Sequence, residues 1–459
     1  MEQQPEPRVF FDNLRSVARF DVSAKTLLIP DMEPFGARLL AASFRAFGVN
    51  ARVMETYTGL ALGKEFTSGK ECFPCQVTLG DVLHHLEGER KRLGEDFRAE
   101  EYVYFMPEAD GPCRFGMYNK MQRLVLDRFP HFRDVPILYL STKDGYSSSG
   151  ILPDGRTKSF RKLAYMATII ADILGRITWR TRPYEQEPGS VNTWITRGLQ
   201  SMEQLIEQRG ADLDLDALRQ EVARIARGAA ELMDRTLERR PRIGIVGEIY
   251  IRSHPESNRD VIAQLEYFGA EVVNASLGEW VQFVSYETTL NHRKSLRDSW
   301  KTRRLSQVPR YLKRWLLGEV EKRYLARRQH QLYASALQHL DIQRDHSVDE
   351  VRHLVEGQGL FDFAIGTEAP LSIGGALEYI AAGFNGVVNL YPFTCMPSTV
   401  ASSILKPMLH DRHVPYLDIS CDDSTPPGRE VALQTFMYQA RQHHARQLQQ
   451  TQGNSANAQ

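Results

Sequence analysis

Short apolar runs of strand length recur along this chain, each followed by a stretch with the period of an amphipathic helix. That alternation limits the fold more than any other feature. Leu27-Leu28-Ile29-Pro30 reads as a buried strand, and Ala37, Leu40, Ala41, Phe44 and Phe47 form one face of a helix. With a second strand at 51–54, this is a β-α-β opening. The pattern predicts helices over 76–93 and 117–129 and strands over 102–106 and 135–140. From 159 to 239 it is almost wholly helical; the apolar stretch Leu163 to Ile177, broken by Asp172 and Arg176 and too short to span a bilayer, reads as a buried helix. Strand signals return at Ile243-Gly244-Ile245-Val246-Gly247, with further strands expected at 270–274, 361–366, 386–390 and 416–419 and helices at 258–268, 374–382, 399–410 and 429–449.

The expected fold class is α/β, with two Rossmann-like parallel-sheet units, a helical connector and a basic helical insertion. The boundaries are an N-terminal extension at 1–24, a first α/β domain at 25–158, the connector at 159–240, and a second α/β domain at 241–440 carrying the insertion at 291–340. A tail at 441–459 follows, and its Gln/Asn-rich end is expected to be disordered.

Lys plus Arg equals Asp plus Glu at 57 each, so no global field draws the chain to nucleic acid or to a membrane, and neither is an expected partner. The N-terminus lacks the basic start and apolar core of a secretory signal, and five scattered cysteines do not form a secreted disulfide framework; the expected compartment is the cytoplasm.

Four of those cysteines sit in three turn-like settings: Lys70-Glu71-Cys72-Phe73-Pro74-Cys75, Gly111-Pro112-Cys113-Arg114-Phe115-Gly116 and Pro392-Phe393-Thr394-Cys395-Met396-Pro397. Cys113 and Cys395 each follow an expected strand, and in a parallel sheet ligands collect at the carboxyl ends of strands. Thiolates from separate loops suit an iron–sulfur centre. The same four fit a tetrahedral structural zinc site, as in a scaffold or assembly protein. Cys72 and Cys75 alone, before a helix, fit a thiol oxidoreductase, which leaves Cys113 and Cys395 unexplained. Cys421 is a reserve ligand.

These segments, with Gly244-Ile245-Val246-Gly247-Glu248-Ile249-Tyr250-Ile251-Arg252, resemble the non-ATPase portion of the large CoA-substrate-specific enzyme activases. That portion is similar to the 2-hydroxyacyl-CoA dehydratase and benzoyl-CoA reductase subunit superfamily, which includes double-cubane cluster proteins. The match runs over about residues 25 to 440. The resemblance implies a [4Fe-4S] cluster on Cys72, Cys75, Cys113 and Cys395, low-potential electron transfer, and an ATP-hydrolysing activator that delivers the electron. No Walker-type loop precedes residue 25, so the activator is expected to be a separate polypeptide. A double cubane needs about six thiolates, more than the chain has, which favours a single cubane. If the protein is an enzyme, it is expected to be a dehydratase- or reductase-like component, in a homodimer or heterodimer.

Arg114, beside Cys113, and Arg252, at a strand terminus, are candidates for binding the phosphates of a CoA thioester or the cluster sulfurs, with a structural ion pair to a carboxylate such as Glu248 as the plainer role. Gly366-Thr367-Glu368 and Gly374-Gly375 offer backbone donors for an anion, with tight packing as the plainer role. Thirteen Lys and Arg between Arg293 and Arg328 are interleaved with Trp300, Tyr311, Trp315 and Tyr324. They read as an amphipathic helix with a solvated basic face, interrupted near Pro309, or as a docking surface for an acidic activator or CoA.

Overall fold

The computed structural model describes residues 17–153, 155–424 and 427–456. Among the described residues, nine strands form two sheets: β1 Val17–Ala18, β2 Thr26–Ile29, β3 Asn50–Val53, β4 Tyr102–Phe105 and β5 Ile137–Leu138 in one, and β6 Arg242–Gly247, β7 Glu271–Asn274, β8 Gly386–Pro392 and β9 Tyr416–Cys421 in the other. The helices are α1 Pro34–Arg45, α2 Leu60–Glu65, α3 Phe73–Leu93, α4 Tyr118–Leu126, α5 Thr157–Thr181, α6 Ser190–Arg209, α7 Leu215–Glu231 and α8 Ile249–Ser253. They continue with α9 Pro255–Asn258, α10 Val261–Tyr267, α11 Leu277–Lys301, α12 Val308–Leu337, α13 Val348–Gly357, α14 Ala369–Ala381, α15 Met396–Asp411 and α16 Arg429–Ala456.

The first sheet has the order β1-β5-β4-β2-β3 and the second β7-β6-β8-β9, with every pairing parallel. Parallel sheets are covered on both faces, so their strands read as continuous apolar runs. Leu27, Leu28 and Ile29 of β2 and Ile243, Ile245 and Val246 of β6 are accordingly buried. Each such side chain contributes roughly 1.5–3 kcal/mol of burial.

The chain divides into two compact units. The first contains the described residues up to Ala171, Gln200–Glu221 and Val281–Leu332; the second contains Asp172–Leu199, Val222–Trp280 and the described residues from Tyr333 on. The stretch 159–240 is helical over α5, α6 and α7, and its residues are shared between the units. Most of the basic segment belongs to the first unit.

In the first unit, Glu33 caps α1 by accepting from Phe35 N at 3.1 Å and from Gly36 N, with Pro34 in the first turn. β1 was not expected: Val17 and Ala18 pair with Ile137 and Leu138, so part of the N-terminal extension completes the sheet. Residues 1–16 of that extension lie outside the described residues.

Three local expectations are corrected in the second unit. The run 361–366 forms a 3-10 turn over Phe363–Ile365, because the Asp362 carboxylate accepts from Ala364 N at 2.8 Å and Gly366 turns left-handed at φ 76°. Thr367 and Glu368 therefore leave a turn and not a strand. Gly374-Gly375 lies inside α14 and does not open a helix; a Cβ at Gly374 would meet Val351 Cγ1 at 2.4 Å, the close packing that glycine permits. α16 continues to Ala456, so residues expected in the tail belong to the helix, and 457–459 lie outside the described residues.

Candidate thiol sites at the carboxyl edges of the sheets

In the first unit the Cys72–Cys75 pair opens α3. Cys72 is the residue before the helix and adopts φ 103°, a conformation costly for a side-chain-bearing residue. Phe73 and Pro74 form the first turn, and Cys75 N donates to Cys72 O at 3.1 Å. Both cysteines are buried in a cluster with Leu28, Met54, Leu79, Tyr104 and Met106.

α3 is fixed from two sides. Gly63 of α2 approaches so closely that a Cβ would sit 2.0 Å from Gln76 O, and Gly80 faces Gly59 in the same way. On the other side Thr78 links three elements: its hydroxyl accepts from Gln122 Nε2 of α4 at 3.0 Å, and its carbonyl accepts from Tyr104 OH of β4 at 3.3 Å.

Cys113 lies beyond the carboxyl end of β4 and caps the 3-10 turn Arg114–Met117, its Sγ accepting from Phe115 N at 3.5 Å. The next residue joins the two cysteine loops: Arg114 Nη1 donates to Lys70 O at 2.6 Å. Ser68 N donates to Glu71 Oε2 at 2.9 Å, which folds the Lys70 loop back on itself.

Burial pushes the Cys75 thiol well above its ordinary range, the Cys72 and Glu71 charges push the same way, and the Arg114 guanidinium pulls it down. A thiol desolvated this strongly is protonated and inert at neutral pH. A bound cation is what would turn it into a thiolate ligand.

In the second unit, β8 leads through Phe393 and Thr394, whose φ is 61°, to Cys395, the residue before α15. Burial, followed by the nearby Glu248 and Glu368 carboxylates, pushes the Cys395 thiol up to about 12. Cys421 is the last residue of β9, in register with Pro392, and its carbonyl accepts from Phe393 N at 3.1 Å. Burial raises its thiol to about 11 against the pull of Arg429. Both thiols thus lie at the carboxyl end of their sheet, as the sequence predicts.

Arg252 is 5% exposed and serves the backbone, donating from Nη1 to Ala275 O and from Nη2 to Ser276 O at 3.2 Å. It braces the end of β7 against the start of α11. Its carbonyl accepts from Asn274 Nδ2 at 2.8 Å. The Glu248 carboxylate caps α8, accepting from Tyr250 N at 3.1 Å and Ile251 N at 2.9 Å. Burial, then the Glu368 charge, raises Glu248 to about 7. Arg252, Glu279 and Glu368 line a cavity of about 10 Å³, room for a single water.

Sequence reasoning missed the Arg114–Lys70 link, because a side chain reaching a backbone carbonyl 44 residues away leaves no spacing signal. It also missed a buried charge group in the second unit. Arg176 Nη2 and Asp345 Oδ1 are 3.0 Å apart with both side chains 1% exposed, Tyr333 OH donates to the same Asp345 oxygen at 2.6 Å, and Glu279 Oε1 lies 3.2 Å from His346 Nδ1. Arg176, visible only as a break in an apolar helix, was the available sign.

Among the described residues, no three or more His, Cys, Asp or Glu side chains converge as a metal-holding group. Cys72, Cys75 and Cys113 stand at helix or turn starts in the first unit and Cys395 stands before a helix in the second, and thiols are the donor type that an iron–sulfur cluster takes. No protein-family model matches the chain, and no curated protein matches it. No helix among the described residues is long and apolar enough to cross a membrane.

Proposed function

We propose that this protein is an iron–sulfur protein related to the 2-hydroxyacyl-CoA dehydratases, working in low-potential electron transfer or in reductive chemistry on a CoA thioester or similar small substrate. A separate ATP-hydrolysing activator supplies the electron, and the protein works in the cytoplasm. Cys72, Cys75, Cys113 and Cys395 would hold a [4Fe-4S] cluster, with Cys421 in reserve. The two α/β units are Rossmann-like in this reading, and the helices over 159–240 act as their connector.

The observation that carries the proposal is the Arg114 bond to the Lys70 carbonyl, which ties the Cys113 loop to the loop that opens the Cys72–Cys75 pair. A bound cluster supplies one-electron chemistry at low potential. The chain supplies the rest: Pro112 stiffens the Cys113 loop, Pro74 fixes the first turn of α3, and the apolar surroundings of Cys75 exclude water. The Arg114 charge pulls the Cys75 thiol toward its ionised form, against its burial.

Burial of Cys72, the attacking position of such a pair and 6% exposed, speaks against a dithiol exchange role, which needs an accessible first thiol. The test is anaerobic purification of the wild type and of four single Cys-to-Ala variants, with EPR before and after reduction. A reducible iron signal that weakens in each variant supports the proposal. Stoichiometric zinc, or a spectrum indifferent to all four substitutions, would move the function to a scaffold or assembly role.

A further inference from the structure

In the first unit α11 and α12 run side by side, held close at Gly318, where a Cβ would stand 2.4 Å from Thr289 Oγ1. Lys322 Nζ lies 4.7 Å from the Tyr286 ring centroid, a second tie between them. Pro309 sits in the first turn of α12, so it opens the second helix and does not interrupt one. Leu312 and Leu316 of α12 face outward.

Leu312, Leu316 and Val320 recur every four residues and form one stripe along the outer face of α12. Together with Leu317, Leu305 of the turn and Trp300 near the end of α11, these side chains are between 40% and 68% exposed. Between Arg293 and Leu317 there are nine Lys and Arg against one acidic residue, Asp298. Arg310, Lys313 and Arg314 flank the stripe and are exposed.

We propose that this helical pair is a peripheral binding face for an anionic phospholipid surface, with the Leu312–Leu316–Val320 stripe and Trp300 entering the headgroup boundary and the flanking Lys and Arg pairing with lipid phosphates. Charge complementarity selects this occupant. A second copy of the same face would set two dense positive fields against each other, whereas an anionic leaflet attracts each Lys and Arg and accepts apolar side chains of any outline. Trp with aliphatic residues, bordered by basic ones, is the composition of interfacial helices. The neutral net charge of the whole chain does not oppose this, because the attraction is felt within a Debye length of about 10 Å at 0.1 M salt.

The test is co-sedimentation of the full-length protein with vesicles of phosphatidylcholine alone and of phosphatidylcholine with phosphatidylglycerol, at low and high salt. Two variants accompany it, a charge-reversed Arg310→Glu/Lys313→Glu/Arg314→Glu and an apolar-stripped Leu312→Ser/Leu316→Ser. All five side chains are exposed, so both variants should melt like the wild type. Pelleting is expected only with the anionic vesicles, with affinity falling roughly a hundredfold in the charge-reversed variant and on raising salt, and about tenfold in the apolar-stripped one. Absence of pelleting with anionic vesicles at low salt would overturn the proposal. So would equal binding by wild type and either variant, since both the charge and the stripe are required.

Discussion

Arg114 Nη1 donates to the carbonyl oxygen of Lys70 at 2.6 Å, so the turn that carries Cys113 is held against the loop that leads into Cys72. One side chain thereby couples two cysteine motifs that are far apart in sequence.

Arg114→Ala should release both loops. Because Arg114 is partly exposed, solvent discounts the bond, and the expected loss of stability is about 1 kcal/mol. The sharper readout is chemical: in the metal-free protein, alkylation of Cys113 should quicken in the variant while alkylation of Cys75, buried in the core, stays slow. Unchanged Cys113 reactivity would show that the bond does not order its turn.

The seating of α3 rests on glycine. Gly63→Ala puts a methyl group 2.0 Å from Gln76 O and should cost about 1–3 kcal/mol by forcing α2 away from α3. Gly88→Ala, on the same helix α3 but with nothing within 4 Å, should instead stabilise by about 0.5–1 kcal/mol. Thermal melts of the pair should move in opposite directions.

Asp345→Ala leaves the Arg176 guanidinium buried without its carboxylate and should cost about 3–5 kcal/mol, among the largest single-residue effects in the second unit. Arg176→Met combined with Asp345→Leu removes both charges and should be far milder. Denaturant unfolding of the two variants separates a buried pair from a merely crowded site.

The buried thiols give the metal-free protein an alkaline limit. A thiol raised from 9.0 to about 12, as at Cys395, stabilises the fold fully below pH 9 and loses that contribution as the pH climbs toward 12. Cys421, raised to about 11, adds to the same slope. Stability should therefore decline above pH 9, and Cys395→Ser should flatten the decline in urea titrations run from pH 8 to about 10.5.

The strands were legible because a parallel sheet buries both faces and leaves runs such as Leu27-Leu28-Ile29 and Ile243-Gly244-Ile245-Val246. The turn at 361–366 was not, since Phe361, Phe363 and Ile365 imitate strand alternation while Asp362 and Gly366 supply turn chemistry. On α12 the apolar periodicity marked a helix, but it does not say which of the apolar positions are covered. The carboxyl-edge positions of Cys113, Cys395 and Cys421 followed from the place of each just after a strand signal. What ties the Cys72 and Cys113 loops did not, because it depends on one long side chain meeting a backbone carbonyl. The division into units was hidden for a related reason: α5 contributes to both, and local periodicity carries no trace of which residues pack together across the chain.

The central claim is most directly tested by counting iron and acid-labile sulfide in anaerobically purified wild type and Cys113→Ala, with EPR after reduction. The account predicts about four of each per wild-type chain and a reducible signal that is lost in Cys113→Ala. Stoichiometric zinc, or no metal in protein kept strictly from oxygen, would contradict it.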